Sequence, residues 1–156
     1  MREDYVGSQV YSSIEQAAVI LARPLVTSAL MKVKQHAGRL ERLSRICLSL
    51  PEALREDCGE HAKFSLRKKT FAYYLYNHHG DGIIGVTCKV MAGDQNRLAE
   101  AQPERFYIPA YIGSRGWVGL RLDGPEVDWD EVSELVTGSY LLMAPKKLAD
   151  LIRARM

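Results

Sequence analysis

The sequence predicts an α+β domain: an antiparallel sheet of about four strands with helices packed on one face. Three observations carry this. An apolar pattern of helical period opens the main part of the chain, three β-rich segments follow one another through short turns, and two further helix-period segments close it. Parallel strands need crossovers of a dozen residues or more, so short turns imply antiparallel pairing. Strands grouped apart from helices are typical of α+β architecture.

Residues 1–30 read apart from the rest. Ser12 or Ser13 caps a short helix, Ile14 to Ala22, and Arg23-Pro24 stops it. Met31 precedes Lys32-Val33-Lys34. This makes Met31 the expected natural start, with residues 1–30 an extension and residues 31–156 the domain. From Gly38 to Leu50, the residues Leu40, Leu43, Ile46, Cys47 and Leu50 recur at steps of three and four, the spacing of one helix face. Arg39, Glu41, Arg42 and Arg45 fall on the other face and are expected in solvent, with Glu41 and Arg45 paired one turn apart. Pro51 ends this helix.

Residues 51–62 are polar and acidic and read as a connecting loop or helical turn. Phe64 to Arg67 alternates as a strand, with Lys68-Lys69 as its turn. Thr70 to Tyr76 resumes a strand, with Phe71, Tyr73 and Leu75 on one face. Asn77 to Gly82 is a turn cluster, and Ile83 to Val90 is a strand rich in β-branched residues. Asp94 is the expected cap of a short helix, Gln95 to Gln102, with Leu98 and Ala101 inward. Gly116 to Asp123 supplies a fourth strand. Asp128 caps a helix that carries Glu131 at its third position, as in a capping box. Trp129, Val132, Leu135, Val136 and Tyr140 form its apolar stripe. Lys146 to Met156 is a last helix with Leu148, Leu151 and Ile152 inward.

The chain has 156 residues, 47% hydrophobic and 26% charged, with a net charge of +2. That length can bury a core without disulfides or metal. A nearly neutral chain has no global field to draw it onto nucleic acid, so such binding needs a local basic patch. Cys47, Cys58 and Cys88 form no C-x-x-C pair and read as reduced thiols, which points to a cytoplasmic protein. No run is long and apolar enough for a membrane span, so no membrane contact is expected.

Several separated motifs, in order, resemble the MmcQ/YjbR family of small bacterial proteins. They are Leu48-Ser49-Leu50-Pro51-Glu52-Ala53, Phe64 to Ala72, Tyr111 to Val118, Asp128 to Val132, Ser139-Tyr140 and Ala144 to Lys147. The resemblance covers residues 38–150. It implies a frataxin-like α+β fold and DNA binding through paired hairpin wings. Two departures stand out. Lys68 occupies a hairpin turn where the family commonly has glycine, and the histidine of an upstream Gly-His pattern is displaced, as Gly59-Glu60-His61.

Arg67, Lys68 and Lys69 at a hairpin tip, with Lys63 nearby, are the first candidate site, because phosphate binding needs clustered cations on a reachable element. Arg115 and Arg121 join them from the stretch Phe106 to Asp123. The glycines of Gly113-Ser114-Arg115-Gly116 make a turn, and Trp117 with its aromatic neighbours is expected to clamp the sheet to the C-terminal helix. His78, His79 and Asp81 sit on one tight turn, where ligands diverge, so the turn reads as polar and not metal-binding. Glu126, Asp128, Asp130, Glu131 and Glu134 suit a helix N-terminus. No Ser-His-Asp order, phosphate-binding glycine loop or cofactor motif is visible. The expectation is a non-enzymatic DNA-binding protein without cofactor. The alternative is a protein-interaction or small-ligand module using the aromatic surface from Phe106 to Trp117.

Overall fold

The computed structural model describes residues 6–156, with side chains from Val26 onward. Four α-helices and six strands are present among these residues: α1 (Val6–Leu48), β1 (Ala53–Cys58), β2 (His61–Leu66), β3 (Lys69–Tyr76), β4 (Ile84–Lys89), α2 (Asp94–Ala101), β5 (Phe106–Tyr107), β6 (Trp117–Arg121), α3 (Trp129–Met143) and α4 (Lys146–Arg153). The chain divides between Ala37 and Gly38 into two units, and the second holds the sheet. In the first unit the helical backbone runs through Pro24, so Arg23-Pro24 does not end a helix and the predicted start at Ile14 is overturned. A proline removes one backbone donor, which a long helix survives where its neighbours keep helical geometry. Residues 1–5 of the expected extension, and the side chains of residues 6–25, lie outside the described residues.

The sheet is antiparallel with strand order β1-β2-β3-β4-β6-β5. The α+β class agrees with the sequence; the strand count exceeds it by β1 and β5. Residues 53–58 form an edge strand where a loop or helical turn was expected. The segment Ala-Leu-Arg-Glu-Asp-Cys has no β-branched or aromatic residue, so its extended state comes from pairing with β2 and not from propensity. The β2–β3 hairpin turns on Arg67-Lys68 and not on Lys68-Lys69; Arg67 and Lys68 both take positive φ, 45° and 66°. This left-handed backbone is what the family's glycine would adopt without strain.

A β-bulge at Phe64/Ser65 opposite Phe71 resets the alternation of β3. Phe71, Ala72 and Tyr74 are therefore buried together, while Tyr73 and Leu75 face the other way. The expected common face of Phe71, Tyr73 and Leu75 does not form. On the helix-covered face, Phe64, Leu66, Tyr74, Val86, Val118 and Leu120 pack with Leu43 and Cys47 of α1, Val132, Val136 and Tyr140 of α3, and Leu148 and Ile152 of α4. Phe71 meets Tyr140 edge to face at 5.4 Å. Burial pushes the Cys47 and Cys88 thiols well above their ordinary range, whereas Cys58 is exposed.

The helix ends sort into agreement and correction. Asp128 caps α3 as expected, its carboxylate accepting from the N–H groups of Asp130 and Glu131 at 3.1 Å each. Glu131 does not complete a capping box; it pairs with Arg105. The cap of α2 is Gly93, at φ 90°, and Asp94 is the first helical residue, paired with Arg97. Leu98 packs against the core but Ala101 is exposed. In α4 the inward residues are Leu148, Ala149 and Ile152, and Leu151 points out. Glu41 and Arg45 pair at 3.3 Å as expected. Arg39 is half-buried and Arg42 is exposed as expected; both guanidinium groups stand over the Trp129 ring, at 5.9 and 4.8 Å. Among the described residues no helix is long and apolar enough to cross a membrane.

Candidate functional site

The six cations singled out in the sequence do not form one patch. Lys63 pairs with Glu56, its direct neighbour across β1 and β2, at 2.7 Å. Arg67 grips both carboxylate oxygens of Glu52, at 2.6 and 2.8 Å, and these hydrogen bonds hold the Glu52 carboxyl below the usual carboxylate range. Arg121 grips Asp123 in the same way, at 3.0 and 2.8 Å. Lys68, Lys69 and Arg115 stand in no ion pair among the described residues. The pairings Leu66–Lys69, Ala72–Cys88 and Lys89–Trp117 put the start of β3, the end of β4 and the start of β6 at one end of the sheet. Lys68, Lys69 and Arg115 share that end; Arg121 lies toward the other.

The face of the sheet turned away from the helices carries a cleft of about 590 Å³. Its floor is a single cross-strand row, Lys63–Tyr73–Thr87–Gly119–Tyr107, set by the pairing of β2, β3, β4, β6 and β5. The Tyr107 ring folds back over Gly119 and Gly85, where any side chain would collide with it. The arm from Ile108 to Ile112 walls one side and ends in a short turn, Gly113–Arg115, with Gly113 packed directly beneath Ile108. Gly116 follows at φ 85°, so its glycine is required by the backbone. Trp117 lies on this open face and tilts against Tyr73 at 5.4 Å. It is therefore not the expected clamp to the C-terminal helix; Phe106, on the opposite face, joins the helix-covered core.

At the centre of the floor Thr87 is completely buried, and its hydroxyl has no hydrogen-bond partner among the described residues. Buried hydroxyls are normally satisfied, because leaving one unpaired costs about 1–3 kcal/mol. Tyr107 is half-buried, and burial, followed by Asp81 and Asp123, pushes its phenol up to about 12, so it stays a proton donor.

The rim opposite the arm is built from imidazoles. His61 on β2 accepts the Tyr76 N–H at Nδ1, 3.1 Å. Its ring meets His78 edge to face at 5.1 Å, and His78 lies 3.9 Å from His79. Burial, then the neighbouring His79 and His61, lowers the His78 pKa below the ordinary histidine range. Asp81 and Asn77 brace the turn by accepting from Ile83 and Gly82 N–H groups. His79 faces Tyr111 across the mouth at 6.3 Å. Both of these residues hold positive φ, 57° and 66°, and Tyr111 is 85% exposed. Strained non-glycine residues of this kind concentrate at ligand sites. Among the described residues no three His, Cys, Asp or Glu side chains converge as a metal site.

The YjbR family model matches residues 48–142, more than half of the chain. The chain belongs to the YjbR family. The matched span runs from the end of α1 to the end of α3, so it includes the basic sheet end, the arm and the whole cleft. Among solved structures the chain is similar to protein DR2400 of Deinococcus radiodurans, a DUF419 domain. The likeness has a TM-score of 0.57 and 24% identity over 69% of this chain and 80% of that one. At that identity the likeness supports the shared fold alone. None of the curated proteins compared matches the chain.

Of this YjbR protein's cleft, the sequence had pointed to Lys63, Tyr107, Tyr111 and the turn histidines, but not to Thr87 or Leu75. The available signal was alternation. Once Val86 and Cys88 belong to the core face, Thr87 must face the other way.

Proposed function

We propose that this YjbR domain is a non-enzymatic small-ligand-binding module whose site is the open-face cleft. The buried, unpartnered Thr87 hydroxyl on an aromatic-walled floor carries the reading. Binding sites for small molecules are concave and largely apolar, with a few fixed polar groups that orient the ligand. The floor offers Tyr73, Leu75 and Tyr107 as apolar surface, with the unpaired Thr87 hydroxyl buried beneath it. Cys58 and His61, register partners on β1 and β2, both line the cleft, but no side-chain hydrogen bond joins them among the described residues; the reading proposed is binding without chemistry. The reduced-thiol composition supports a cytoplasmic setting.

Amide chemical shifts of ¹⁵N-labelled protein, titrated with a panel of one- and two-ring aromatic compounds, test the proposal. Saturable shifts should centre on Leu75, Thr87 and Tyr107, and Thr87→Val should weaken the best binder about five- to tenfold, the loss of one buried hydrogen bond. Shifts scattered over the surface, or none that saturate, would overturn the proposal.

One observation favours DNA binding as a second reading: Lys68, Lys69 and Arg115 share one sheet end and are unpaired among the described residues. Three phosphate contacts would give a log–log salt slope of about −3. Fluorescence anisotropy of a labelled duplex at low salt should then saturate, and Lys68→Glu with Lys69→Glu should abolish it. A flat titration ends that reading.

A further inference from the structure

We infer that the cleft selects aromatic carboxylates, with the ring system on the Tyr73–Leu75–Tyr107 surface and the carboxylate at the His61–His78 rim. This rests on the cleft reading and adds the class of ligand.

His61 uses Nδ1 to accept the Tyr76 N–H. Its neutral tautomer therefore carries the proton on Nε2, which makes that nitrogen a hydrogen-bond donor in either protonation state. His78 and His79 add two more imidazoles within ring contact. Against them stands Asp81, whose Oδ1 already accepts the Ile83 N–H. On the β1–β2 side, Lys63 is neutralised by Glu56, and Cys58 is an exposed thiol. Tyr73 and Tyr107 flank the floor, and Tyr111 stands across the mouth. The rim thus presents the His61 Nε2–H and two further imidazoles as donors beside a single carboxylate, Asp81, and it is these donors that an anionic ligand end would engage.

Geometry sets the rest of the ligand. His61 lies two strands and two residues from Thr87. Strand spacing and rise place their Cα atoms about 12 Å apart. Side chains reaching inward from both ends leave room for a one- or two-ring body between them. Planar rings suit a floor whose glycines keep it flat beneath Tyr107 and whose other wall is Tyr73.

The pH dependence follows from the same groups. In the free protein His78 resists protonation; an anion beside it reverses that preference. Affinity should rise as pH falls through the imidazole pKa of the complex and level off below that of the free protein.

The test compares 2-naphthoate with its neutral isostere 2-naphthamide by amide shifts and calorimetry, between about pH 5.5 and pH 8, where naphthoate stays ionised. Naphthoate should bind about tenfold more tightly than the amide near pH 6, a charge-assisted hydrogen bond's worth of preference, and the ratio should shrink toward pH 8. His61→Gln and His78→Gln combined with His79→Asn should remove the pH dependence while the Leu75 and Thr87 shifts persist. Equal affinities with a flat pH profile would overturn the carboxylate class and leave the cleft reading standing. Saturable cleft shifts from neither compound would overturn both.

Discussion

Ser139→Ala is expected to lower the unfolding free energy by about 2–4 kcal/mol, because each buried backbone group stripped of its partner costs about 1–3 kcal/mol. Ser139 sits mid-helix in α3 and is completely buried. A serine there usually bonds back to its own helix. Here the hydroxyl donates to the Phe71 carbonyl at 2.6 Å and accepts the Lys89 N–H at 2.9 Å. One side chain thus ties α3 to both β3 and β4, at the residue where the bulge breaks regular pairing. Alanine fits the space but supplies neither bond. Urea denaturation should show the midpoint falling by about 1–2 M with little change in slope. Tyr140→Phe is the natural comparison. It removes only the bond from the phenol to the Pro51 carbonyl, at 2.8 Å, and should cost about 1 kcal/mol. A loss below about 0.5 kcal/mol for Ser139→Ala would mean that the hydroxyl does not hold the bulge.

Ser139 also shows where sequence reasoning stops. The Asp128 cap and the Trp129-to-Tyr140 stripe were legible because caps and helical periodicity are local properties. The hydroxyl's partners lie 68 and 50 residues away, and no spacing announces them. The same boundary explains β1, whose six residues become a strand only through their ladder with β2. It also explains Tyr73 and Leu75: a bulge inverts every face assignment beyond it, and bulges carry no sequence signature in the segment Phe-Ala-Tyr-Tyr. The basic tip was legible as charge but not as free charge. Glu52, outside the hairpin in sequence, closes onto Arg67 once β1 lies beside β2. Conversely, the glycines of Gly113-Ser114-Arg115-Gly116 read correctly as a turn, because a left-handed residue such as Gly116 is a local demand. The cleft was legible only in its aromatic parts. Thr87 looks like any strand threonine until both faces of the sheet are assigned.

Gly119→Ala is expected to destabilise the protein by about 1–3 kcal/mol through overpacking and to open the cleft wall at the same time. A Cβ at this position would overlap the Cζ, Cε1 and Cε2 atoms of Tyr107, and at Gly85 it would fall 2.6 Å from the same residue's hydroxyl. The two glycines together form a seat for one ring. β6 continues into Leu120 and is held on both sides by β4 and β5, so the backbone has little room to retreat. The ring must leave instead. A double-mutant cycle separates this from any intrinsic dislike of alanine in the strand. In a Tyr107→Ala background the collision is gone, and alanine should be more favourable than glycine by about 0.5–1 kcal/mol on backbone entropy alone. The sign of the Gly119→Ala effect should therefore reverse between the two backgrounds, a coupling of about 2–4 kcal/mol. If Gly119→Ala is neutral in both, the ring is not seated and the floor of the cleft is not a fixed surface. If the sign reverses, β4 and β6 give up two side chains to lay Tyr107 flat beside Thr87. That expenditure makes physical sense for a surface shaped to receive another planar group.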